Sequence, residues 1–395
     1  MLGFDSGFVY HGTFRSWKVR QNMPITSLLS PMRKNRLGRI AGALLLVVLG
    51  LTVWGCGSSN STPTAAPIKI DFFSTQDGLP SEQVTAMAVL GHQIWIGTKK
   101  GLGTYDGVNW QIISGKNNKS LGSDIIEALF AAANGLYVAT ERGVTRYDGT
   151  NWASVFTGSR ARGVSAKPPE IAIATAHGVE KSTGGAFQAY SKEAGLINEE
   201  VNTVAYDAKG RLWAGTRAGM AAFEGMRFQN FTGPQKTVMG TSLIDVPPSP
   251  ANCQLIGNNI NVIIPFKGMI AVGTTSGLSI TDMENQWQSY TADHKDWFQR
   301  AGKIVEELVT GNSKLPGNSI TALATMASDS VLIVGTNKGV TALKDSVWID
   351  LHAQIPSLRP GPITGLAVQG DKLWIGTPGG VFRISDAGRL LGLTQ

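Results

Sequence analysis

Short apolar stretches recur along this chain with glycine and polar punctuation between them. They are too brief for amphipathic helices. Val84-Thr85-Ala86-Met87-Ala88-Val89 is followed by Ile94-Trp95-Ile96-Gly97-Thr98, a two-residue polar tip, a glycine and another short run. Runs of about four to eight β-branched and aromatic residues bounded by Gly, Asn and Asp read as strands. Asp106-Gly107 and Asp148-Gly149 then mark tight hairpins, because glycine takes positive φ without steric cost.

The pattern repeats. Residues 95–110 read WIGTKKGLGTYDGVNW, residues 137–152 YVATERGVTRYDGTNW and residues 213–228 WAGTRAGMAAFEGMRF. Degenerate copies follow at 272–287, 334–348 and 374–383, and a weaker one lies at 173–187. Their shared threonines are Thr98, Thr140, Thr175, Thr216, Thr274, Thr336 and Thr377, spaced 42, 35, 41, 58, 62 and 41 residues apart. A unit of about forty residues with four short strands cannot bury its own apolar sheet, but stacked copies can. The sequence therefore predicts an all-β, seven-bladed β-propeller of four-stranded antiparallel blades over residues 68–395. The seventh copy lacks the Asp-Gly turn and the outer tryptophan. Residues 68–74 carry the missing outer-strand pattern (Ile70-Asp71-Phe72-Phe73) and are expected to close the ring, removing an exposed sheet edge.

Two spacings exceed the basic period and place insertions at about 231–261 and 291–317. In the second, Trp297, Ala301, Ile304, Val305 and Leu308 fall at helical spacing, which predicts one short helical insertion. Counting strands from the channel outward as first to fourth, the tip between second and third strands shares a face with the link to the next blade. Both insertions follow fourth strands, so both belong on this tip face.

The pattern W-I-G-T-x-x-G-L-x-x-Y-D-G-x-x-W resembles the two-component regulator propeller repeat, over about residues 68–385. That resemblance implies a periplasmic, sensor-type propeller. Members of the family precede a membrane helix and a histidine kinase; here the sequence ends soon after the seventh copy, which implies a free-standing module.

Charge changes the picture in one respect. Of 35 basic and 28 acidic residues, seven basic and one acidic precede Cys56, which leaves 28 and 27. The excess belongs to the leader, and no nucleic-acid footprint remains in the propeller. Residues 33–39 (RKNRLGR) precede sixteen uncharged residues, Ile40 to Gly55, fewer than the roughly 20 that a membrane span needs. A basic stretch, a short apolar stretch and then Val53-Trp54-Gly55-Cys56 resemble a bacterial lipoprotein signal with Cys56 as the lipid attachment site. Met32 stands directly before the basic stretch. The expected organisation is an N-terminal extension over 1–31, a signal peptide over 32–55, a Ser/Thr/Pro-rich tether over 56–67 and the propeller beyond. Export and membrane anchoring through lipid follow, in the periplasm, at the outer membrane or on the cell surface.

Catalytic chemistry is sparse. His92, His177, His294 and His352 are isolated, with no metal-ligand spacing, and no HExxH, phosphate loop or G-x-S-x-G elbow occurs. No catalytic residue, metal or cofactor is assigned. Cys253 is expected to be a buried small hydrophobe. The blade tips carry Lys99, Lys100, Arg142, His177, Arg217 and Lys338 against Glu141. Loops on a rigid scaffold concentrate binding residues. This face is therefore the candidate binding surface, for a small anionic or carbohydrate ligand or an envelope protein, on a monomeric propeller. The expected function is non-catalytic binding, sensing or scaffolding. The alternative is a propeller lyase or hydrolase acting on a polymer or glycan, which needs a histidine and acids clustered at the channel mouth.

Overall fold

The computed structural model describes residues 67–284 and 286–393. The leader, Cys56 and the tether up to residue 66 lie outside the described residues. Seven four-stranded antiparallel sheets make up the fold. Their inner strands are Val84–Leu90, Ile126–Ala132, Gly163–Lys167, Val201–Tyr206, Ile260–Phe266, Ile320–Met326 and Gly365–Gln369. Each packs against the next and the seventh returns to the first, so the ring is closed. Within a blade the strands follow sequence order from the channel outward. The seventh is the exception, its outer strand being Ile70–Phe73. Ile70 pairs with Ile384 and Phe73 with Val381, and Asp71 receives Arg383 at 2.6 Å. The ring is thus clasped by its own first strand, leaving no open edge at the seam.

Burial explains the repeat. Trp95, Trp213 and Trp374 are each no more than 2% exposed. Trp95 lies against Tyr147 and Trp152 of the following blade, and Trp374 stacks with Phe73 and meets Tyr105 of the first. These rings fill the gaps between blades. All seven threonines act as latches. Each Oγ1 donates to the glycine carbonyl three residues on, at 2.7–3.1 Å. Each also accepts the N–H two residues on. That bond pair fixes the tip, and the glycine that ends it must have positive φ. At Gly143, a Cβ would collide with the Phe156 carbonyl as well. The Asp106 and Asp148 carboxylates each accept two turn N–H groups. Those backbone bonds hold both carboxyls below their ordinary range.

The second insertion departs from the helical expectation. It is a β-hairpin, His294–Arg300 against Lys303–Val309, turning at Ala301-Gly302 with φ of 47° and 78°. The apolar residues that fit a helical stripe fit alternation equally well: Ile304 and Leu308 share one face, Val305 and Val309 the other. The two consecutive left-handed residues decide the matter, because a two-residue turn of that kind matches strand twist. Cross-strand pairs Lys295–Glu306 and Arg300–Glu307 complete it. The first insertion is also a hairpin, Gln235–Met239 against Ser242–Val246. The two hairpins lean together. Lys236 Nζ reaches Asp296 at 2.6 Å and lies over the Phe298 ring, and Gln299 accepts the Leu243 N–H. Helix is confined among the described residues to two single α-turns, Leu351–Gln354 and Ala387–Leu390, and short 3-10 pieces.

Chain direction orients the two faces. Ile70 pairs with Ile384, at the end of the third strand that starts from the tip at Gly380, so the chain enters the ring on the face opposite the tips. It leaves there as well, where Ala387 N bonds the Asp371 carbonyl in the turn between first and second strands.

Candidate functional site

All six tip residues expected from sequence lie at tips between second and third strands, on one face. The structure separates them into two groups. Lys99 and Arg217 are paired: Lys99 Nζ lies 3.2 Å from Glu127, and Arg217 Nε 2.7 Å from Glu200. Lys100, Arg142, His177 and Lys338 are exposed, with no ion-pair partner among the described residues. Their backbone N–H groups are the ones taken by the threonine latches, so the tips are rigid while these side chains project into solvent.

Inside the tips, the inner strands surround a central channel of about 450 Å³. At its tip-side rim the first strand of five blades carries a β-bulge, leaving Thr85, Glu127, Asn202, Asn261 or Thr321 unpaired in the ladder. Arg162 and Thr364 occupy the same place in the third and seventh blades, each donating its N–H to the residue before the latch threonine. A bulge re-aims a side chain. Here four of these side chains bond the carbonyl of the following blade. Thr85 reaches Ile126 O at 2.7 Å, Asn202 reaches Ile260 O at 2.9 Å, Asn261 reaches Ile320 O at 2.8 Å and Thr321 reaches Ile363 O at 2.6 Å. The same rim is charged on its other arc. Glu127 sits between Lys99 and Arg160 (3.2 and 3.0 Å), and Glu200 between Arg162 and Arg217 (3.6 and 2.7 Å). The rim residues Glu127, Arg160, Arg162 and Glu200 are absent from the tip set read from sequence. Aligning the second residue of each inner strand, or its equivalent, would have exposed Glu127 and Arg162 as two opposite charges interrupting a polar column.

The histidines do not converge. His177 is on the third blade's tip; His294 opens the second hairpin with Nδ1 3.0 Å from the Ala292 carbonyl. His352 is committed to structure, its Nε2 accepting the Val340 N–H and Nδ1 facing Leu358 O at 2.9 Å. His92 lies at the opposite face, in the turn between first and second strands of blade one. Among the described residues no group of three His, Cys, Asp or Glu side chains could hold a metal. Cys253 is 1% exposed and burial pushes its thiol pKa up, which makes it an inert core residue.

With this geometry the comparisons can be read. Residues 195–218, which hold the first two strands of the fourth blade, match the family described as two component regulator propeller. That stretch carries the two-component regulator propeller repeat. No curated protein matches the chain as a relative. Among solved structures it is similar to the extracellular domain of the hybrid two component system BT4673 from B. thetaiotaomicron. The identity there is 18% and the TM-score 0.59, over 80% of this chain and 39% of that one. The extracellular domain of the BT3049 system of the same organism is similar at 16% identity and TM-score 0.57, over 81% and 42%. Virginiamycin B lyase from Staphylococcus aureus aligns at 10% identity and TM-score 0.53, over 80% and 98%. These likenesses establish the propeller fold, and the chain spans about two fifths of the two extracellular-domain chains. Among the described residues no helix is long and apolar enough to cross a membrane.

Proposed function

We propose that this chain is an exported, non-catalytic binding module of the cell envelope, lipid-anchored through Cys56, whose tip face takes a small anionic or carbohydrate ligand, or an envelope protein, in a sensing role. The observation that carries the reading is the gathering on one face of exposed Lys100, Arg142 and Lys338, the channel rim and both inserted hairpins. The opposite face carries the chain's entry and exit. The two component regulator propeller match and a fold similar to the extracellular domain of a hybrid two component system support the same role. The lyase-or-hydrolase alternative calls for a histidine flanked by acids at the channel mouth, and the four described histidines stand on four separate elements.

Two measurements test this reading. Partners retained by the full-length protein from envelope extract, or by a glycan and metabolite panel, are compared with those of a Lys100→Glu, Arg142→Glu, Lys338→Glu variant. Binding falls if the tip face is the binding face; unchanged binding of every retained partner refutes it. Cys56→Ser is expected to move the protein from the membrane to the soluble envelope fraction, and an unchanged membrane fraction refutes the anchor.

A further inference from the structure

The seven rim positions are chemically equivalent by fold, yet the chain does not fill them equally. Four carry a neutral donor that bonds the next blade's carbonyl. Thr364 is also neutral. Blades two and three, which are adjacent, carry Glu127 and Arg162 instead. A carboxylate cannot donate, so Glu127 forgoes the junction bond. Arg162 could donate, but toward blade four it makes an ion pair with Glu200 and no bond to a carbonyl. One of its terminal nitrogens, Nη1, is screened from solvent, has no hydrogen-bond acceptor, and is 3.6 Å from the nearest Glu200 oxygen. That distance is an ion pair but not a hydrogen bond. A local break in a rule the rest of the ring obeys is where function is to be sought.

The charge around this break has a sign. Lys99, Arg160, Arg162 and Arg217 meet two carboxylates, Glu127 and Glu200. Each carboxylate has two cations beside it, so the arc keeps an excess of positive charge. Glu127 and Arg162 both line the channel, whose volume of about 450 Å³ suits a small molecule rather than a polymer strand. Among the described residues, the aromatic rings that line the channel, Phe130 and Tyr206, lie three and four residues along their strands from the rim positions Glu127 and Asn202, away from this rim. An orphaned guanidinium N–H beside a cation-rich arc fits an oxyanion, which accepts charge-assisted bonds from several donors at once.

We propose that the rim between blades two and four is an oxyanion subsite, with Arg162 as the central donor and Arg160 and Lys99 flanking it, for the carboxylate, sulfate or phosphate group of a small solute entering the channel. This rests on the reading of the tip face as the binding face and narrows it to one place and one chemistry.

Titration calorimetry on the full-length protein is the test, at fixed ionic strength, with sodium glucuronate, sodium sulfate and sodium phosphate as separate probes and glucose as the neutral control. Wild type is expected to bind at least one anion saturably, and the responding probe identifies the group. The variant is Arg162→Asn, which installs the residue of blades four and five and should fold at least as well, checked by its thermal midpoint. It is expected to weaken anion binding at least about tenfold. Lys372→Gln, exposed on the face opposite the tips, should leave it within about twofold. No saturable binding of any anion up to about 10 mM overturns the subsite. So does unchanged affinity in Arg162→Asn. If affinity survives Arg162→Asn but falls in the three-tip variant above, the tip-face reading stands and the rim site fails. If neither variant changes it, both fail.

Discussion

The two arcs of the channel rim are built on the same backbone and use it differently. Along blades four to six, Asn202, Asn261 and Thr321 turn inward from their bulges and tie each blade to the next. Along blades two and three, Glu127 and Arg162 stand in the same bulge or its equivalent and meet their neighbours through ion pairs instead of carbonyl bonds, Glu127 with Lys99 and Arg160, Arg162 with Glu200. A net hydrogen bond of this kind contributes about 1 kcal/mol, and a partly exposed ion pair about 0–1 kcal/mol, so the charged arc replaces carbonyl bonds with contacts that are no stronger. The difference teaches that the ring tolerates weak rim bonds because its stability lies elsewhere, in the aromatic gap-fillers and the clasp. That surplus leaves individual rim positions free to serve other ends.

The largest effect should come from attacking the clasp, on which both arcs depend. Deleting residues 67–73 removes the outer strand of blade seven and takes Phe73 from its stack on Trp374. A loss of at least about 5 kcal/mol in denaturant unfolding is expected, combining a buried aromatic with the lost ladder bonds. A loss under about 1 kcal/mol would show that closure is not what makes the arcs comparable. Next in size, Trp374→Ala should cost about 3–5 kcal/mol. A cost no greater than that of a rim substitution would invert the ranking argued above.

The direct test of the comparison is smaller. Asn261→Ala strips the Ile320 carbonyl of its side-chain donor and should cost about 1–2 kcal/mol. Arg162→Asn should cost nothing and could add up to about 1 kcal/mol by tying blade three to blade four. Equal losses at the two sites would erase the distinction between the arcs.

The smallest effect concerns the other end of the same junction. On the face opposite the tips, Glu170 of blade three takes a 3.0 Å contact from Lys181, and Tyr206 of blade four points its hydroxyl at Glu170. The Lys181 bond holds the Glu170 carboxyl below its ordinary value of 4.5. With the folded pKa below the unfolded one, this contribution is complete above about pH 4.5 and fades as pH falls through the lower folded value. Lys181→Met should therefore lower stability slightly at pH 7 and much less at pH 3. A difference that is the same at both pH values would show that the contact is packing, not charge. Tyr206, buried and beside that carboxylate, keeps its proton throughout, its pKa pushed up by burial first and by Glu170 second.

Most of the ring was legible because its signals are local and repeated. A threonine that must latch a glycine three residues on, and an Asp-Gly that must turn, leave the same letters in copy after copy. The seventh blade was legible through what it lacked. The hairpin at 294–309 was misread because it stands outside the ring, where no second copy fixes its period. Five apolar residues cannot choose between 3.6 and 2 when the turn residues are an ordinary Ala301 and Gly302. The basic tips were visible, but their ion pairs were not. Lys99 meets Glu127 across a blade boundary, a contact that depends on how one blade is rotated against the next, and Arg217 meets Glu200 within blade four, seventeen residues back along the chain. The rim column was hidden for the same reason. One polar residue per forty, with no shared letter, carries meaning only once the inner strands stand in a circle.

Both the way in and the way out of the ring, at Ile70 and at Ala387, sit below the plane of the blades. A support joined to either end would hold the molecule as a stem holds a flower head. Solutes drifting past would meet the open corolla, and a neighbour fused or bound at the base could be added or removed without shading it.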